Sequence, residues 1–315
     1  MAEGLPALAV TLPQFATHAG PSRSACLDAD RLGFAGAFVF DHLWPLGGPR
    51  SRPALEAWTL LAALAAEAGQ RPARAEAGQW PARAEAGQRP ARGDRFRLGT
   101  LVTRAGLRAP AVVARMAATV GQVAGAPPII GIGRGDLANR PENLAFGFPF
   151  PDVAGRALAL EQTVAALRGP LAGTPRPSVW VGGAAAGGRA LAGRLADAWN
   201  GWALTPEELA AGLADVRRAA EQAGRDPAAV AGTWAGQVLV AGERREAEVR
   251  LARWGAGRPP AELARVVAGD PETVIGRLRA LHDAGAAWCV VATVGGPGAD
   301  MRALLAGAAG LHPRA

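Results

Sequence analysis

The feature that most constrains this chain is an alternation. Eight short apolar runs recur along its 315 residues, at 7–12, 36–40, 96–102, 128–132, 178–182, 197–201, 234–240 and 287–293. Runs such as Ala37-Phe38-Val39-Phe40 and Trp288-Cys289-Val290-Val291 are continuously apolar, which suits strands covered on both faces, as in a parallel sheet. Helical periodicity lies between them. Residues 53–66 bring Leu55, Trp58, Leu61 and Ala65 to one stripe, and residues 110–123 do so with Val112, Val113, Met116, Val120 and Val123. Thr205-Pro206-Glu207-Glu208 reads as a helix start with N-cap, first-turn proline and capping-box glutamate, and Asp270-Pro271-Glu272-Thr273 reads similarly. Strands alternating with helices at this count predict an α/β fold, a single (β/α)8 TIM barrel spanning 1–315. A doubly wound sheet is the competing arrangement. It needs a phosphate loop after its first strand, where this chain has Leu12-Pro13-Gln14-Phe15.

One segment stands outside the alternation. Residues 67–93 hold three copies of a nonapeptide, EAGQRPARA, EAGQWPARA and EAGQRPARG. Glycine and proline in each copy argue against a continuous helix, and nine residues is too short a period for helical repeats. The segment reads as a surface insertion in the loop before the third strand. An arginine-rich docking strip for an acidic partner is the alternative.

Composition removes several chemistries. All 34 basic residues are arginine, and the chain has neither lysine nor tyrosine. A Schiff-base lysine, a P-loop lysine and a tyrosine nucleophile are therefore excluded. Two cysteines, Cys26 and Cys289, build neither a disulfide framework nor a thiolate metal site, and a cytoplasmic location is expected. The net charge of +7 is spread among acids without a dense basic block, so no nucleic-acid partner is expected. Neither a membrane span nor a signal peptide is expected, because no apolar run reaches about 20 residues and MAEGLPALAV lacks a basic n-region. The four histidines, His18, His42, His282 and His312, have no metal-ligand spacing, and no nucleophile-elbow sequence is present.

In a barrel, chemistry sits at the C-terminal ends of strands. That gives a shortlist: Gln14 and His18; Asp41, His42 and Trp44; Thr100 to Thr103; Arg134, Asp136 and Asn139; Gly182, Gly183 and Gly187; Asn200 and Trp202. Asp41-His42 is the leading acid/base pair, the carboxylate orienting an imidazole that titrates near neutrality. Val181-Gly182-Gly183 through Gly187-Gly188-Arg189 opens a helix and suits a phosphate, since glycines admit close approach and a helix N-terminus favours anions. Gly131-Ile132-Gly133-Arg134-Gly135-Asp136 is half of a dinucleotide fingerprint, with Asp136 in place of the third glycine. Its glycines are expected to let a flat ligand approach the barrel mouth.

In order along the chain, Phe40-Asp41-His42-Leu43-Trp44-Pro45, Leu55-Glu56-Ala57-Trp58, Arg97-Leu98-Gly99-Thr100-Leu101-Val102-Thr103, Gly131 to Asp136, Phe146-Gly147-Phe148-Pro149, Val181-Gly182-Gly183 and Ala196-Asp197-Ala198-Trp199-Asn200-Gly201 resemble blocks of the luciferase-like monooxygenase superfamily, in its deazaflavin (coenzyme F420)-dependent branch. The resemblance covers roughly residues 5–310 apart from the repeat. It implies an oxidoreductase transferring a hydride between a small organic molecule and F420, with FMN-dependent monooxygenation and non-catalytic flavin binding as alternatives. It also implies that Asp41 contacts the ring and that His42 is the proton donor or acceptor. Leu101-Val102 falls where relatives have a non-proline cis peptide behind the ring, beside Thr100. Asp136 matches an acidic residue near the substrate, Asn139 a ring contact, and Gly182 and Gly183 the cofactor-phosphate site. A homodimer is one state the resemblance allows. The stretch between Leu167 and Ser178 is shorter than in many relatives, and Trp44 follows the Asp-His pair more closely than in the sugar-phosphate enzymes, so the resemblance implies no particular substrate.

Overall fold

The computed structural model describes residues 4–46, 49–69, 96–173, 176–296 and 298–311. Apart from its first three residues, the nonapeptide segment lies outside the described residues, as does His312. Nine strands form one parallel sheet: β1 (Ala7–Thr11), β2 (Gly36–Val39), β3 (Arg97–Arg104), β4 (Ile129–Gly133), β5 (Ser178–Gly182), β6 (Ala198–Trp202), β7 (Ala231–Val240), β8 (Val267–Gly269) and β9 (Ala286–Thr293). The strand order is β6-β5-β4-β3-β2-β1-β9-β7-β8, and an added β6–β7 pairing closes the ring. Eight strands make the barrel, as the sequence predicts. The extra strand β8 was not expected. It pairs with Val238–Val240 at the far end of β7, beyond the stretch of β7 (231–235) that pairs with β6.

The helices are α1 (Gly20–Arg31), α2 (Ala57–Gly69), α3 (Pro110–Ala124), α4 (Arg140–Ala145), α5 (Val153–Arg168), α6 (Ala186–Leu195), α7 (Pro206–Gln222), α8 (Arg244–Gly255), α9 (Pro260–Leu263), α10 (Pro271–Asp283) and α11 (Gly298–Ala308). Thr205 and Glu208 form the expected capping box on α7, and Asp270 caps α10 through Thr273 N–H. Two expectations need correction. Helix α2 starts at Ala57, not at residue 53, because the Glu56 carboxylate accepts from Trp58 and Thr59 N–H and ends the preceding extended stretch. On α3, Val112 and Val123 are half exposed, and the covered face is built from Val113, Ala114, Ala117, Ala118, Val120 and Gly121. Small residues let α3 lie close to its neighbours, a preference that hydrophobicity alone does not signal. Among the described residues no helix is long and apolar enough to cross a membrane.

Alternation along each strand divides the core in two. Leu8, Val10, Ala37, Val39, Ile130, Ile132, Val179 and Val181 face the helices. Ala7, Ala9, Phe38, Ile129, Trp180, Ala198, Ala235 and Trp288 face inward. The inward alanines leave the volume that the large rings fill. Trp180 lies 5.5 Å from both Phe38 and Trp288, ring centre to ring centre. Its indole N–H donates to Ser178 Oγ at 3.1 Å. The barrel interior is thus filled by packed side chains at this level. Replacing the 3%-exposed Trp180 by alanine should lower unfolding free energy by about 3–5 kcal/mol in a denaturant titration. A loss below about 1 kcal/mol would show that the inner layer is not close-packed.

Candidate active site

The loop after β2 carries the acid/base pair and is held from beneath. Gln14, fully buried just beyond β1, donates through Nε2 to Phe40 O and accepts Phe40 N–H on Oε1, both at 2.6 Å. Its backbone carbonyl accepts Leu55 N–H at 3.0 Å, tying in the approach to α2. The next two residues go opposite ways. Asp41 is 1% exposed and points inward, while His42 is only partly covered.

Asp41 is an anchor. Arg108 grips it bidentately, Nη1 to Oδ2 at 2.7 Å and Nη2 to Oδ1 at 3.2 Å, and Arg104 N–H reaches Oδ2 at 3.3 Å. Arg108 also donates to Glu56 Oε1 at 2.6 Å. Both of its oxygens are engaged and it has almost no exposed surface. In this arrangement Asp41 pairs with Arg108 and not with the His42 ring that the sequence reading has it orient. The residue that orients His42 is also different from the one expected: Glu142, on α4, lies 3.0 Å through Oε2 from His42 Nδ1. Oε2 also accepts from Arg104 Nη1 at 2.9 Å, and Oε1 takes the backbone N–H groups of Leu43 and of Trp44, the latter at 3.0 Å. Burial by itself raises the Glu142 pKa. The contacts with His42, Arg104 and Leu43 N–H outweigh it and hold the carboxyl at about 2. His42 Nε2 has no partner among the described residues and reaches solvent.

Beside this pair, β3 carries a cis peptide at Leu101-Val102 and a register shift between Thr100 and Thr103 against β4. Thr100 is buried and gives its hydroxyl to Gly131 O at 2.9 Å, and Leu101 is buried in the inner layer. Val102 fills the space that side chains on Gly133 and Gly182 would need, and the Thr100 carbonyl fills that of Gly131. A Cβ on Gly133 or Gly182 would come within 2.9 Å of the Val102 methyl groups. Gly133 and Gly182 therefore admit Val102, and Gly131 admits the Thr100 carbonyl, so each of these glycines has a packing role within the barrel wall. Gly183 differs. It is exposed, has φ +122, and a Cβ there would meet nothing within 4 Å. Its N–H donates to Asn200 O at 3.2 Å and its carbonyl accepts Trp199 Nε1 at 2.9 Å, so β6 fixes the turn. Helix α6 follows with no side-chain cap hydrogen bond at Ala185.

Other expected residues have local duties. Asp136 is exposed and accepts Ala138 N–H on Oδ1 at 2.9 Å, while Asn139 Oδ1 accepts Asp136 N–H at 2.9 Å. Both thus cap the turn Leu137–Asn139 above Arg104, whose Cδ lies 3.2 Å from a Cβ built on Gly135. His18 accepts Gly20 N–H on Nδ1, Asn200 donates to Thr233, and Trp202 lies edge-on to Phe40. Arg189 is occupied by Ala184 O and Asp215, whereas Arg134 has no partner among the described residues. Trp44 packs edge-on against Phe146, with Arg50 over its ring. Glu142, Arg104, Arg108 and Glu56 escaped the sequence reading. The available signal was Asp41 itself: a carboxylate closing a fully buried strand needs a cation, and here that cation has to be arginine.

The depressed Glu142 pKa fixes the sign of a pH effect. The unfolded chain takes up this proton near 4.5 and the folded one near 2, so the stabilisation is complete above pH 4.5 and fades as pH falls toward 2. In urea titrations across that window, the wild-type advantage over Glu142→Gln should shrink as acidity rises. A pH-independent difference would contradict the assignment.

A family model described as luciferase-like monooxygenase matches residues 91–265, more than half of the chain. A phthiodiolone/phenolphthiodiolone dimycocerosates ketoreductase from Mycobacterium sp. (strain JLS) is 32% identical over 204 residues, covering 58% of this chain and 47% of its own. The chain thus spans about half the length of such curated relatives. A solved F420-dependent secondary alcohol dehydrogenase, in complex with an F420-acetone adduct, superposes with TM-score 0.75 at 16% identity, covering 96% of this chain and 98% of its own. An EDTA monooxygenase from Chelativorans sp. BNC1 does so with TM-score 0.74 at 15% identity, covering 99% and 95%. At these identities the two structures speak for the fold, and the family match carries the assignment: the chain belongs to the luciferase-like monooxygenase family.

Proposed function

We propose that the protein is an oxidoreductase that moves a hydride between an organic alcohol or carbonyl compound and the deazaflavin coenzyme F420. The observation that carries this reading is His42, whose Nδ1 is held by Glu142 and whose Nε2 is open, at the same end of the barrel as the open glycine turn at Gly183. The site fits such a cofactor. The uncapped start of α6 and Gly183 would hold its phosphate, unpaired Arg134 suits an acidic tail, and the Val102 bulge would back its ring. When bound, the deazaflavin supplies a two-electron hydride acceptor and donor.

The chain's own groups do the rest. His42 takes the hydroxyl proton as an alcohol becomes a carbonyl and returns it in the reverse direction. The Gln14 clamp on Phe40 and the Asp41–Arg108 pair keep the His42 loop in place. Trp44, edge-on to Phe146, would give a bound substrate an apolar neighbour. The ketone-reducing activity named for the mycobacterial relatives and the alcohol dehydrogenase named among the structural neighbours support this direction of chemistry.

A second reading, an FMN-dependent monooxygenase, is favoured by the family description and by the EDTA monooxygenase neighbour. The two separate in a titration with each cofactor, with oxygen uptake followed alongside. The proposal expects saturable F420 binding, alcohol-dependent F420 reduction without oxygen uptake, and a loss of about 10²–10⁴ in kcat for His42→Ala with F420 affinity kept. Binding of FMN alone with oxygen consumption would move the protein to the second reading. Unchanged turnover in His42→Ala would remove the histidine from the chemistry.

A further inference from the structure

Glu142 holds the place beside His42 that the sequence reading gives to Asp41. We infer that Glu142 is a positioning residue that locks His42 in its Nδ1–H tautomer, leaving Nε2 as the lone-pair nitrogen that meets the substrate hydroxyl. The consequence for catalysis rests on the hydride-transfer reading; the tautomer itself does not.

Donor counting carries the inference. Oε1 of Glu142 receives the N–H groups of Leu43 and Trp44, and Oε2 receives Arg104 Nη1. A carboxylate so surrounded is an acceptor throughout and has no proton to give. Whatever faces it must donate, so in the neutral ring the proton sits on Nδ1, 3.0 Å from Oε2. Nε2 is then the only ring nitrogen able to accept. In alcohol oxidation, where the bound cofactor would accept the hydride, the O–H proton would pass to Nε2 as the carbonyl forms, and His42 would become a cation beside Glu142. The local charge supports that direction. The guanidinium groups of Arg104 and Arg108 face the carboxylates of Asp41, Glu56 and Glu142. Two cations against three anions leave one negative charge, and the imidazolium balances it.

The arrangement also says what a neutral substitute would do. In Glu142→Gln only one oxygen remains. The backbone N–H groups of Leu43 and Trp44 claim it, because they are fixed while the side chain can rotate. The amide NH2 then faces Nδ1 as a donor, and the ring must take the opposite tautomer, with its proton on Nε2.

The test uses the cofactor-free chain with 15N-labelled histidine and long-range proton–nitrogen correlation at a pH where the rings are neutral. The structure supplies internal standards. His18 accepts Gly20 N–H on Nδ1 and must be Nε2–H, whereas His282 places Nδ1 at 3.1 Å from Ala286 O and must be Nδ1–H. His42, identified by the signal lost in His42→Ala, should share the His282 pattern in the wild type and the His18 pattern in Glu142→Gln. Glu142→Gln should also lose about 10²–10⁴ in kcat for alcohol oxidation, with KM and F420 affinity within threefold of wild type. A wild-type His42 with the His18 pattern would overturn the inference whether or not any variant folds, and so would an unchanged pattern in a folded Glu142→Gln. Failure of the hydride-transfer reading would show separately, as absence of F420 turnover in the wild type, while the spectrum still decides the tautomer.

Discussion

The site depends on a buried charge cluster built around β3. Arg104 stands at its centre, with its backbone N–H on Asp41 and its guanidinium on Glu142, and Arg108 closes the other side of Asp41 while reaching Glu56. Charges at this depth are expensive unless paired, and removing one partner of a buried pair costs about 3–5 kcal/mol. The cluster therefore acts as a brace. It fixes the ends of β2 and β3, the start of α2 and the short helix α4 relative to one another. Only His42 extends from it toward the mouth with a ring nitrogen uncommitted. Chemistry that moves a proton needs such a group, held rigidly on one side and free on the other.

The packing beneath makes that brace useful. Trp180 and Trp288 fill the lower barrel where inward residues on neighbouring strands are alanine. On the upper side, Val102 occupies the glycine-lined gap between β3, β4 and β5. Above them, His42, the Val102 bulge and the turn at Gly183 all lie toward C-terminal strand ends, the end at which a barrel places its chemistry. A barrel of this kind offers many chemistries one platform, so the family alone does not choose between hydride transfer and oxygen activation.

Much of this was legible in the sequence, for definite reasons. Strand positions show because buried parallel strands are continuously apolar, and the α7 and α10 starts show because caps have fixed spacing. The positions of His42 and Gly183 just beyond β2 and β5 show because the strand ends themselves are legible. The partners do not show, because side-chain pairing has no sequence period. Glu142 stands 100 residues from His42, in a stretch that reads only as an acidic first turn. Asp41 was taken for the orienting acid because it is adjacent in sequence. Adjacent residues at a strand end point in opposite directions, so it faces Arg108 instead. Gly131 and Gly133 mark places of close approach, by the Thr100 carbonyl at the first and by Val102 at the second. The three-residue strand β8 is too short to carry a pattern.

The central claim is that one mouth holds a redox ring against the β3 bulge with His42 Nε2 beside it. A crystal structure of the protein grown with F420 tests this most directly. The account predicts the ring stacked at Val102, its phosphate at the start of α6, and the Glu142–His42 contact intact. A ring bound elsewhere, or a His42 released from Glu142 and turned from the ligand, would contradict it.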